Sequence, residues 1–456
     1  MSSTELVRRI GPASAAALVV SNMVGTGIFS TSGFLAGDLG SPAVVIGIWL
    51  VGGLIALAGS LCYAELGINF QRSGGEYVYL TERYGPAWGF INGWVSFTAG
   101  FSAPIAVTSL AMVSYLAYFN PSLDPRSADA LRIAVGPVTI NLGAGALIGC
   151  GIVAMLSALN LFGVGVAAGV QNALTVLKLT VLSGLLIFGF AIGNGDWNHF
   201  TQAAERTSSM ATTPQFFISL VFVYWAYSGW NAAVYVAEEI RDVEKTLPRA
   251  MIQSSIFVTV FYLALNCLFI YANPLEQMKG VIAVGAQAAE SLFGGAGGRF
   301  FAIAMAASLL ATINAMCLVG PRVYYAMAKN RAFFPAAAKV HPKWKTPYVA
   351  IMAQGAFTIL LILTGTFETL GYYIGFTLWL FSSLSVFAVF QFRKRPGWKS
   401  LGAVSFAWPF IPAFYTSANA LIFVYFAWGK SWEAMGTLLT IAGGALAYNR
   451  LRARWP

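Results

Sequence analysis

The sequence predicts an all-α integral membrane protein with twelve transmembrane helices. Of its 456 residues, 58% are hydrophobic and only 10% are charged, whereas about a quarter of the residues are charged in an ordinary soluble protein. Apolar runs of about 20 residues, the length that a helix needs to cross a bilayer, recur along the whole chain. Because lipid offers the backbone no hydrogen-bond partner, spanning segments must be helices or a closed barrel. Barrel strands are shorter and alternate in polarity, so the runs indicate helices.

The hydrophobic runs delimit the twelve predicted spans. Two prolines in the eleventh span, Pro409 and Pro412, predict that this helix is bent, because proline removes a helical hydrogen bond. The spans lie near 12–36, 42–69, 87–118, 138–161, 166–192, 214–239, 250–272, 300–328, 347–365, 370–391, 402–428 and 433–450.

The distribution of basic residues predicts the orientation of these spans. An even number of spans places both termini on one side of the bilayer. Segments on that side hold 20 of the 27 lysines and arginines, the opposite segments hold 6, and Lys178 lies within a span. Because cytoplasmic loops are enriched in Lys and Arg, both termini are predicted to be cytoplasmic. The same bias explains the net charge of +10, so no nucleic-acid partner is expected.

Two spans contain glycine-rich interruptions. The first has Gly25-Thr26-Gly27 at its middle, and the sixth has Ser228-Gly229 at a comparable depth. Close packing of helices through small residues is one interpretation. The alternative is a pair of broken helices, in corresponding positions of a five-plus-five inverted repeat, that form a binding site at the centre of the bilayer.

A broken helix would offer free backbone groups of both kinds. N–H groups at the start of a half-helix suit a carboxylate, and carbonyls at the end of a half-helix suit an ammonium group. Two breaks could thus hold a zwitterion without charged side chains. Three acids, Glu65, Glu238 and Glu239, lie at the cytoplasmic ends of spans, and for each we expect a structural pairing role.

Lys178 lies inside the predicted fifth span. A charged residue at such a depth is usually functional and faces the interior of the helix bundle; the alternative is a lysine that extends its amine to the membrane surface. Lys178 is about 12 residues into the span, or about 18 Å along a helix, which is far for such an extension. We therefore expect a functional role, with proton transfer as one candidate.

Five motifs give the sequence a resemblance to a known family. VGTGIF, LCYAELG, SGGEYVYLTERYGP, WAYSGWN and EEIRDVEKTLPRA, in this order and spacing, resemble the amino acid–polyamine–organocation superfamily, above all its L-type amino acid transporters and their bacterial relatives. The resemblance implies a LeuT-like core of five plus five helices with discontinuous helices 1 and 6, followed by two further helices. On this basis the expected regions are a cytoplasmic N-terminus (1–11), two inverted repeats (12–192 and 193–391), and the last two helices with a cytoplasmic C-terminus (392–456).

The resemblance also implies roles for residues of the first break. Gly25, Thr26 and Gly27 match the segment that receives the substrate carboxylate, and the carbonyl of Met23 matches one that receives the amino group. Lys178 matches the lysine that family members without a sodium site carry in place of the ion. Sodium independence is therefore expected, with Lys178 acting as a proton carrier or as a fixed cation that braces the first helix.

At the second break, the carbonyls of Trp225 and Ser228 match the remaining acceptors for the amino group. The Trp225 ring matches an aromatic side chain that closes over the substrate, although an ordinary core aromatic is the alternative. Ala226 and Gly229 match the wall of the site, and Asn231 matches a conformationally important polar residue. The amphipathic stretch QRSGGEYVYLTERYGP predicts an interfacial helix, in the place of the family's gate-associated helix.

Together these features predict a sodium-independent carrier of neutral L-amino acids that works by alternating access, as an exchanger or a proton-coupled symporter. A cationic amino acid or polyamine exchanger is one alternative, and an amino acid sensor without flux is another. The expected partners are an amino acid, the lipid bilayer and, in the symport case, protons. The expected location is a bacterial inner membrane. No enzyme activity, cofactor or metal is expected, and the loop NPSLDPRSADALRIAVGP has no cysteine for a disulfide-linked ancillary chain.

Overall fold

The computed structural model describes most of the chain. The described residues are 8, 10–72, 74–125, 127, 130–135, 138–162, 167–329 and 332–452. Most of the predicted N-terminal segment 1–11, the first residue of the predicted fifth span (166) and the last four residues of the predicted C-terminal region (453–456) lie outside them.

The described residues are predominantly helical. The α-helices, numbered in chain order, are α1 (Pro12–Met23), α2 (Thr26–Leu39), α3 (Pro42–Asn69), α4 (Glu76–Tyr84), α5 (Pro86–Val95), α6 (Ala103–Leu116), α7 (Ala144–Leu161), α8 (Ala167–Ile192), α9 (Thr212–Tyr227), α10 (Val243–Ala272), α11 (Leu275–Met278), α12 (Val284–Lys329), α13 (Tyr348–Thr364), α14 (Phe367–Phe392), α15 (Gly402–Phe406), α16 (Phe410–Gly429) and α17 (Ser431–Arg452).

Shorter helical segments of other types join these helices. Ser96–Ser102 is a π-helix between α5 and α6, so the predicted third span contains a local widening of the helix. The 3₁₀ segments are Pro121–Leu123, Trp197–Thr201, Ala232–Glu239 and Pro335–Ala338.

Nine helical segments of the described chain are long and apolar enough to cross a membrane. Two shorter apolar helices, Val176–Ile192 and Tyr348–Thr364, fall within the predicted fifth and ninth spans, and α17 covers the predicted twelfth. The chain is therefore a multi-pass membrane protein, and the count of twelve spans stays a prediction.

The predicted fourth span, 138–161, begins too early. Val138–Asn141 is a β-strand (β2) that pairs antiparallel with Arg132–Val135 (β1), with Ile133 opposite Ile140, and α7 begins only at Ala144. Valine, isoleucine and threonine favour strands, but valine and isoleucine are also apolar, so hydrophobicity alone does not separate this strand from the helix that follows it. A small β-hairpin therefore accompanies the otherwise helical fold.

Three other helix boundaries differ from the prediction. The predicted seventh span, 250–272, is the C-terminal part of α10, which begins at Val243 with Pro248 in its early turns. The predicted eighth, 300–328, lies in α12, which begins at Val284 and leaves helical geometry at Gly294. The bend predicted in the eleventh span is a break between α15 and α16, where Pro409 is the residue before α16.

The two halves of the first span differ in burial: α2 lies in the interior of the bundle, whereas α1 buries only Ala15, Val19 and Met23. α2 packs against α9, and α1 packs against α10, which also packs along α3. Most residues of α2 are buried, including the polar Thr26, Ser30 and Thr31. The residue before the first helix, Ile10, forms an isolated parallel bridge with Ile240, so the chain that enters α1 is fastened to the segment that precedes α10.

Candidate functional site

The first span is interrupted where the sequence has its glycines. α1 ends at Met23, Val24 (φ −75°, ψ 81°) and Gly25 (φ −117°, ψ −157°) leave helical geometry, and α2 begins at Thr26. The Gly25 N–H donates to the Met23 carbonyl at 2.8 Å. The N–H groups in the first turn of α2 have no partner within the helix. They carry the positive end of the helix dipole, so this point of the bundle is suited to an anion.

The sixth span is interrupted in a matching way. α9 ends at Tyr227, followed by Ser228 (φ −54°, ψ 148°) and by Gly229 at φ +102°. A Cβ at Gly229 would lie 2.7 Å from the backbone carbon of Asn22. Glycine is therefore required at this position for two reasons: its backbone is in the left-handed region, and α1 approaches too closely to leave room for a side chain.

The two breaks touch each other. A Cβ at Gly27 would lie 2.4 Å from the Cα atom of Ala226, so the start of α2 and the end of α9 are in backbone contact. The structure thus brings the two predicted groups of site residues together across about 200 residues of sequence, through the contacts Gly27–Ala226 and Asn22–Gly229.

A tyrosine that sequence analysis did not single out joins the two breaks. The Tyr262 hydroxyl, on α10, lies 2.7 Å from the carbonyl oxygen of Met23 and 3.1 Å from that of Ala226. A phenol has one hydrogen to donate, so it satisfies one of these carbonyls at a time. The carbonyl that the phenol leaves can accept a hydrogen bond from another donor, such as an ammonium group.

The phenol is held in place by neighbouring aromatic rings. Tyr262 packs edge-on against Trp49 at a centroid distance of 5.4 Å and lies 5.0 Å from the ring of Tyr227. The Tyr227 hydroxyl donates to the Trp49 carbonyl at 3.0 Å. Aromatic pairs of this geometry favour a fixed orientation, so the Tyr262 hydroxyl is a rigid feature of the site.

Trp225, the aromatic residue predicted to close over the substrate, packs against a group of phenylalanines. Its side chain is 6% exposed, and its ring packs at 5.5 Å and 63° against Phe367, at the start of α14. Phe34 stacks between Phe222 and Phe367, with centroid distances of 5.4 and 5.6 Å. This cluster covers one side of the breaks and links α2, α9 and α14.

Asp38 forms hydrogen bonds that connect α2 to α9 and to the segment before α9. Its Oδ2 accepts a hydrogen bond from Ser219 Oγ at 2.8 Å, and its carbonyl accepts one from Arg206 Nε at 2.8 Å. Asp38 lies near the end of α2 and Ser219 lies within α9, so the contact holds together the two half-helices on the side of Trp225.

Lys178 is buried, with a side chain that is 5% exposed. Its helix, α8, packs against α12 and α10. Within the part of the chain that the structure describes, no carboxylate lies within ion-pair distance of this lysine. No hydrogen bond between described residues joins Lys178 to either break, so the structure does not unite it with the rest of the predicted site.

Glu65 has a structural partner. Its carboxylate is fully buried and accepts two hydrogen bonds from Arg393, each at 2.6 Å. It also accepts bonds from the Trp398 indole at 2.9 Å and the Leu401 N–H at 3.0 Å. The two carboxylate oxygens of Glu65 thus accept four hydrogen bonds. The carboxylate joins the end of α3 to the segment after α14, which is the pairing role expected for it.

Glu76 is a second buried carboxylate, and sequence analysis did not identify it. It is the first residue of α4, and its Oε1 accepts from the Tyr63 hydroxyl at 2.8 Å and from Asn231 Nδ2 at 3.1 Å. Burial raises the pKa of Glu76 to about 7, although hydrogen bonds from Tyr63, Asn92 and Asn231 act in the opposite direction. The signal in the sequence was the pair Gly74-Gly75, which turns the chain inward just before this residue.

Comparison with known proteins agrees with this architecture. The family model described as amino acid permease matches residues 10–441. The serine/threonine exchanger SteT of Bacillus subtilis (strain 168) is 29% identical over 418 residues, which cover 89% of this chain and 88% of that protein. The large neutral amino acids transporter small subunit 2 of Mus musculus is 28% identical over 437 residues, 93% of this chain and 77% of that protein.

The human cystine/glutamate transporter has a level of identity to this chain that is comparable with those of the two proteins above. It is 28% identical over 401 residues, which cover 86% of this chain and 75% of that protein. The family inferred from the five motifs is confirmed, because the matched region contains both helix breaks and nearly all of the described helices. This chain belongs to the amino acid permease family.

Proposed function

We propose that the protein is a sodium-independent secondary transporter of neutral amino acids that works by alternating access. The observation that carries the proposal is the meeting of two broken helices at one point, with the Tyr262 hydroxyl between the carbonyls of Met23 and Ala226. The names of the relatives support the substrate class, since SteT is a serine/threonine exchanger and the mouse protein a transporter of large neutral amino acids.

In this proposal, the backbone binds the constant part of the amino acid. The carboxylate is received by the first N–H groups of α2, at Thr26 and Gly27, and the ammonium group by the carbonyls of Met23, Trp225 and Ser228. Hydrogen bonds to charged groups contribute roughly 1.5–3 kcal/mol each. Several such bonds suffice for reversible binding once the loss of solvation and of substrate freedom is subtracted.

The two sides of the site are then closed in turn. On the outer side, the ring of Trp225 and the contact between Asp38 and Ser219 would have to separate for substrate to enter. On the inner side, the corresponding barrier is the segment after Gly229, which is fastened by Asn231. We place this inner side, with both termini, in the cytoplasm of a bacterial cell, and we place the described helices in a twelve-helix, five-plus-five inverted-repeat arrangement.

Lys178 is the proposed reason for sodium independence. A buried amine in the position of an ion-binding site supplies a positive charge without sodium. Two modes follow from its possible roles. If the lysine exchanges a proton during the cycle, the protein is a symporter. If it stays a fixed cation, the protein is an exchanger that needs amino acid on both sides of the membrane.

The test is uptake of labelled amino acids and polyamines into proteoliposomes, in sodium-free buffer. Each substrate is offered with and without an inward proton gradient, and with and without unlabelled amino acid inside. Saturable uptake of neutral amino acids supports the proposal. Uptake that depends on the proton gradient and is lost in Lys178→Ala assigns symport. Uptake that requires internal amino acid and is indifferent to the gradient assigns exchange.

Two results would redirect the proposal. Preference for arginine or a polyamine would assign a cationic substrate. Binding of an amino acid without flux, measured on the detergent-solubilised protein and on proteoliposomes of the same preparation, would indicate a sensor. Gly151→Ala, on α7, is the matched control for substitutions of the site glycines, because a Cβ there would meet no other atom within 4 Å.

A further inference from the structure

Glu76 is buried at the junction of three structural elements. Its side chain is 6% exposed. Oε1 accepts from Tyr63, on α3, and from Asn231, which lies two residues after Gly229. A hydrogen bond from the Asn92 side chain, on α5, also reaches the carboxylate. Each partner belongs to a different part of the bundle, so Glu76 connects the segment after the second break to the helices around it.

Two glycines form the turn that places the Glu76 carboxylate in the interior of the protein. Gly74 has φ +124° and Gly75 has φ +51°, both outside the range that other residues adopt readily. A Cβ at Gly75 would lie 2.9 Å from the ring of Tyr235, in the 3₁₀ segment after the break. The turn therefore packs closely against that segment and directs α4 to begin with its acidic residue in the core.

The carboxylate has no counter-charge among the described residues. The titratable groups that interact with it are phenols: Tyr63, Tyr79, Tyr235, Tyr415 and Tyr224. They come from α3, α4, the 3₁₀ segment, α16 and α9. No described lysine or arginine lies within ion-pair distance of Glu76. This distinguishes Glu76 from Glu65, whose charge is balanced by Arg393.

The hydrogen bonds also fix the orientation of the Asn231 amide. Asn231 Nδ2 donates to Glu76 at 3.1 Å and to the Tyr235 hydroxyl at 3.3 Å. Both N–H bonds of the amide are thereby used. The acceptor atom, Oδ1, is then the part of the side chain left for a changing partner during transport.

We propose that Glu76 is a positioning residue of the transport cycle, which holds the amide of Asn231 and thereby fastens the segment after the second break. The inference rests on the proposed transport function and adds to it the residue that controls release of the inner barrier. The release step requires the bond between Glu76 and Asn231 to break, because Asn231 cannot move away from α3 and α4 while it is held.

The protonation state of Glu76 sets the strength of this bond. The pKa of about 7, raised by burial, means that the group changes charge near neutral pH. An ionised carboxylate accepts shorter and stronger hydrogen bonds than a neutral acid. Release of Asn231 is therefore slower above neutral pH and faster below it. Glutamine keeps an Oε1 acceptor but no charge, so Glu76→Gln reproduces the protonated form at every pH.

The experiment measures amino acid exchange in proteoliposomes at equal internal and external pH, from about pH 6 to about pH 8, on either side of the pKa of Glu76. The maximal rate of the unmodified protein is expected to fall several-fold across this range, whereas that of Glu76→Gln stays nearly constant. In Glu76→Ala, Asn231 loses its acceptor, so the maximal rate is expected to be at least that of Glu76→Gln and to be independent of pH over this range. The substrate KM is expected to change less than the rate.

Glu82→Gln is the matched control, because Glu82 lies on the same helix but is exposed and faces Arg72 and Arg395. It is expected to retain the pH profile of the unmodified protein. A pairwise test adds specificity: Asn231→Ala with Glu76→Ala should transport at the same rate as Asn231→Ala alone. Size-exclusion profiles and melting temperatures identify any variant that fails to fold, and the isosteric Glu76→Gln carries the test in that case.

The results separate the two proposals. If the unmodified protein exchanges amino acids but Glu76→Gln shares its pH profile, or if the effects of Glu76→Ala and Asn231→Ala simply add, Glu76 has no positioning role and the inference is wrong. If the unmodified protein neither binds nor exchanges any amino acid, the proposed function is wrong and the inference falls with it.

Discussion

The hydroxyl of Tyr262 lies 2.7 Å from the backbone carbonyl of Met23, at the point where the first spanning segment ceases to be helical. The same hydroxyl is within reach of the Ala226 carbonyl at the second break. A side chain on a continuous helix, α10, thus sets the positions of two discontinuous ones. One of the carbonyls proposed to receive the substrate's ammonium group, that of Met23, is therefore within hydrogen-bond distance of this phenol.

Tyr262→Phe tests that arrangement. Loss of the hydroxyl removes the one hydrogen bond that the phenol donates to these carbonyls, and a lost hydrogen bond of this kind destabilises a protein by about 1 kcal/mol. We expect a lower melting temperature and an increase of the substrate KM, because the breaks are no longer fixed. Tyr425→Phe is the control, since that ring stacks on Phe217 away from the breaks. An unchanged KM in Tyr262→Phe would contradict the role given to the phenol.

Gly27→Ala tests the contact between the breaks. The added Cβ would lie 2.4 Å from the Cα atom of Ala226, and a backbone neighbour cannot move aside without displacing α9. We expect saturable uptake to be lost or to fall by about a hundredfold, as a displacement of about 1 Å at a site can do. Gly151→Ala should transport normally. Near-normal uptake by Gly27→Ala would show that the two breaks are farther apart in the working protein.

Trp225 offers a test of the outer barrier. Trp225→Ala removes the ring that packs on Phe367, whereas Trp225→Phe keeps an aromatic contact. We expect the substrate KM to rise about tenfold in the alanine variant, since a buried aromatic contact contributes on the order of 1.4 kcal/mol beyond its surrounding packing. The phenylalanine variant should lie between the two. Trp428→Ala is the control, because Trp428 is 68% exposed on the surface of the helix bundle.

Glu76 gives the fold a pH dependence that is separate from transport. Its pKa in the folded protein, about 7, lies above the ordinary value of 4.5, so the buried site disfavours the ionised form. The stability associated with the protonated group is fully present below about pH 4.5 and is lost as the pH rises through about 7. The difference corresponds to an upper value of roughly 3 kcal/mol.

Melting temperatures in detergent check this expectation. The unmodified protein should melt at progressively lower temperature from about pH 5 to about pH 8, and Glu76→Gln should show a flatter dependence. Glu82→Gln should follow the unmodified protein. Parallel curves for the unmodified protein and Glu76→Gln would mean that Glu76 has an ordinary pKa in the folded state.

The positions of the breaks were predictable because they depend on local sequence. Glycine disfavours a helix interior wherever it occurs, and Gly25 and Gly229 mark the places where the structure leaves helical geometry. The approach of Gly27 to Ala226 follows from the packing of the two halves. The corresponding positions of the two breaks had already suggested a single binding site, and the family resemblance added roles for its residues.

The contributions of Tyr262 and Glu76 were not predictable from their surroundings in the sequence. Tyr262 stands in an apolar run, where a tyrosine is usually a packing residue, and its partners lie 239 and 36 residues away. Glu76 begins an amphipathic helix whose other acid, Glu82, is exposed. The pair Gly74-Gly75 indicates a turn before Glu76, but whether that turn directs the carboxylate into the interior depends on the packing of several helices.

Uptake by counterflow tests the central claim most directly. Proteoliposomes loaded with a neutral amino acid, in sodium-free buffer at equal pH on both sides, are presented with the same amino acid in labelled form. The proposed carrier should accumulate label transiently and saturably, and Gly27→Ala vesicles should not. The absence of saturable accumulation for every neutral amino acid, cationic amino acid and polyamine tested, or a strict requirement for sodium, would contradict the account.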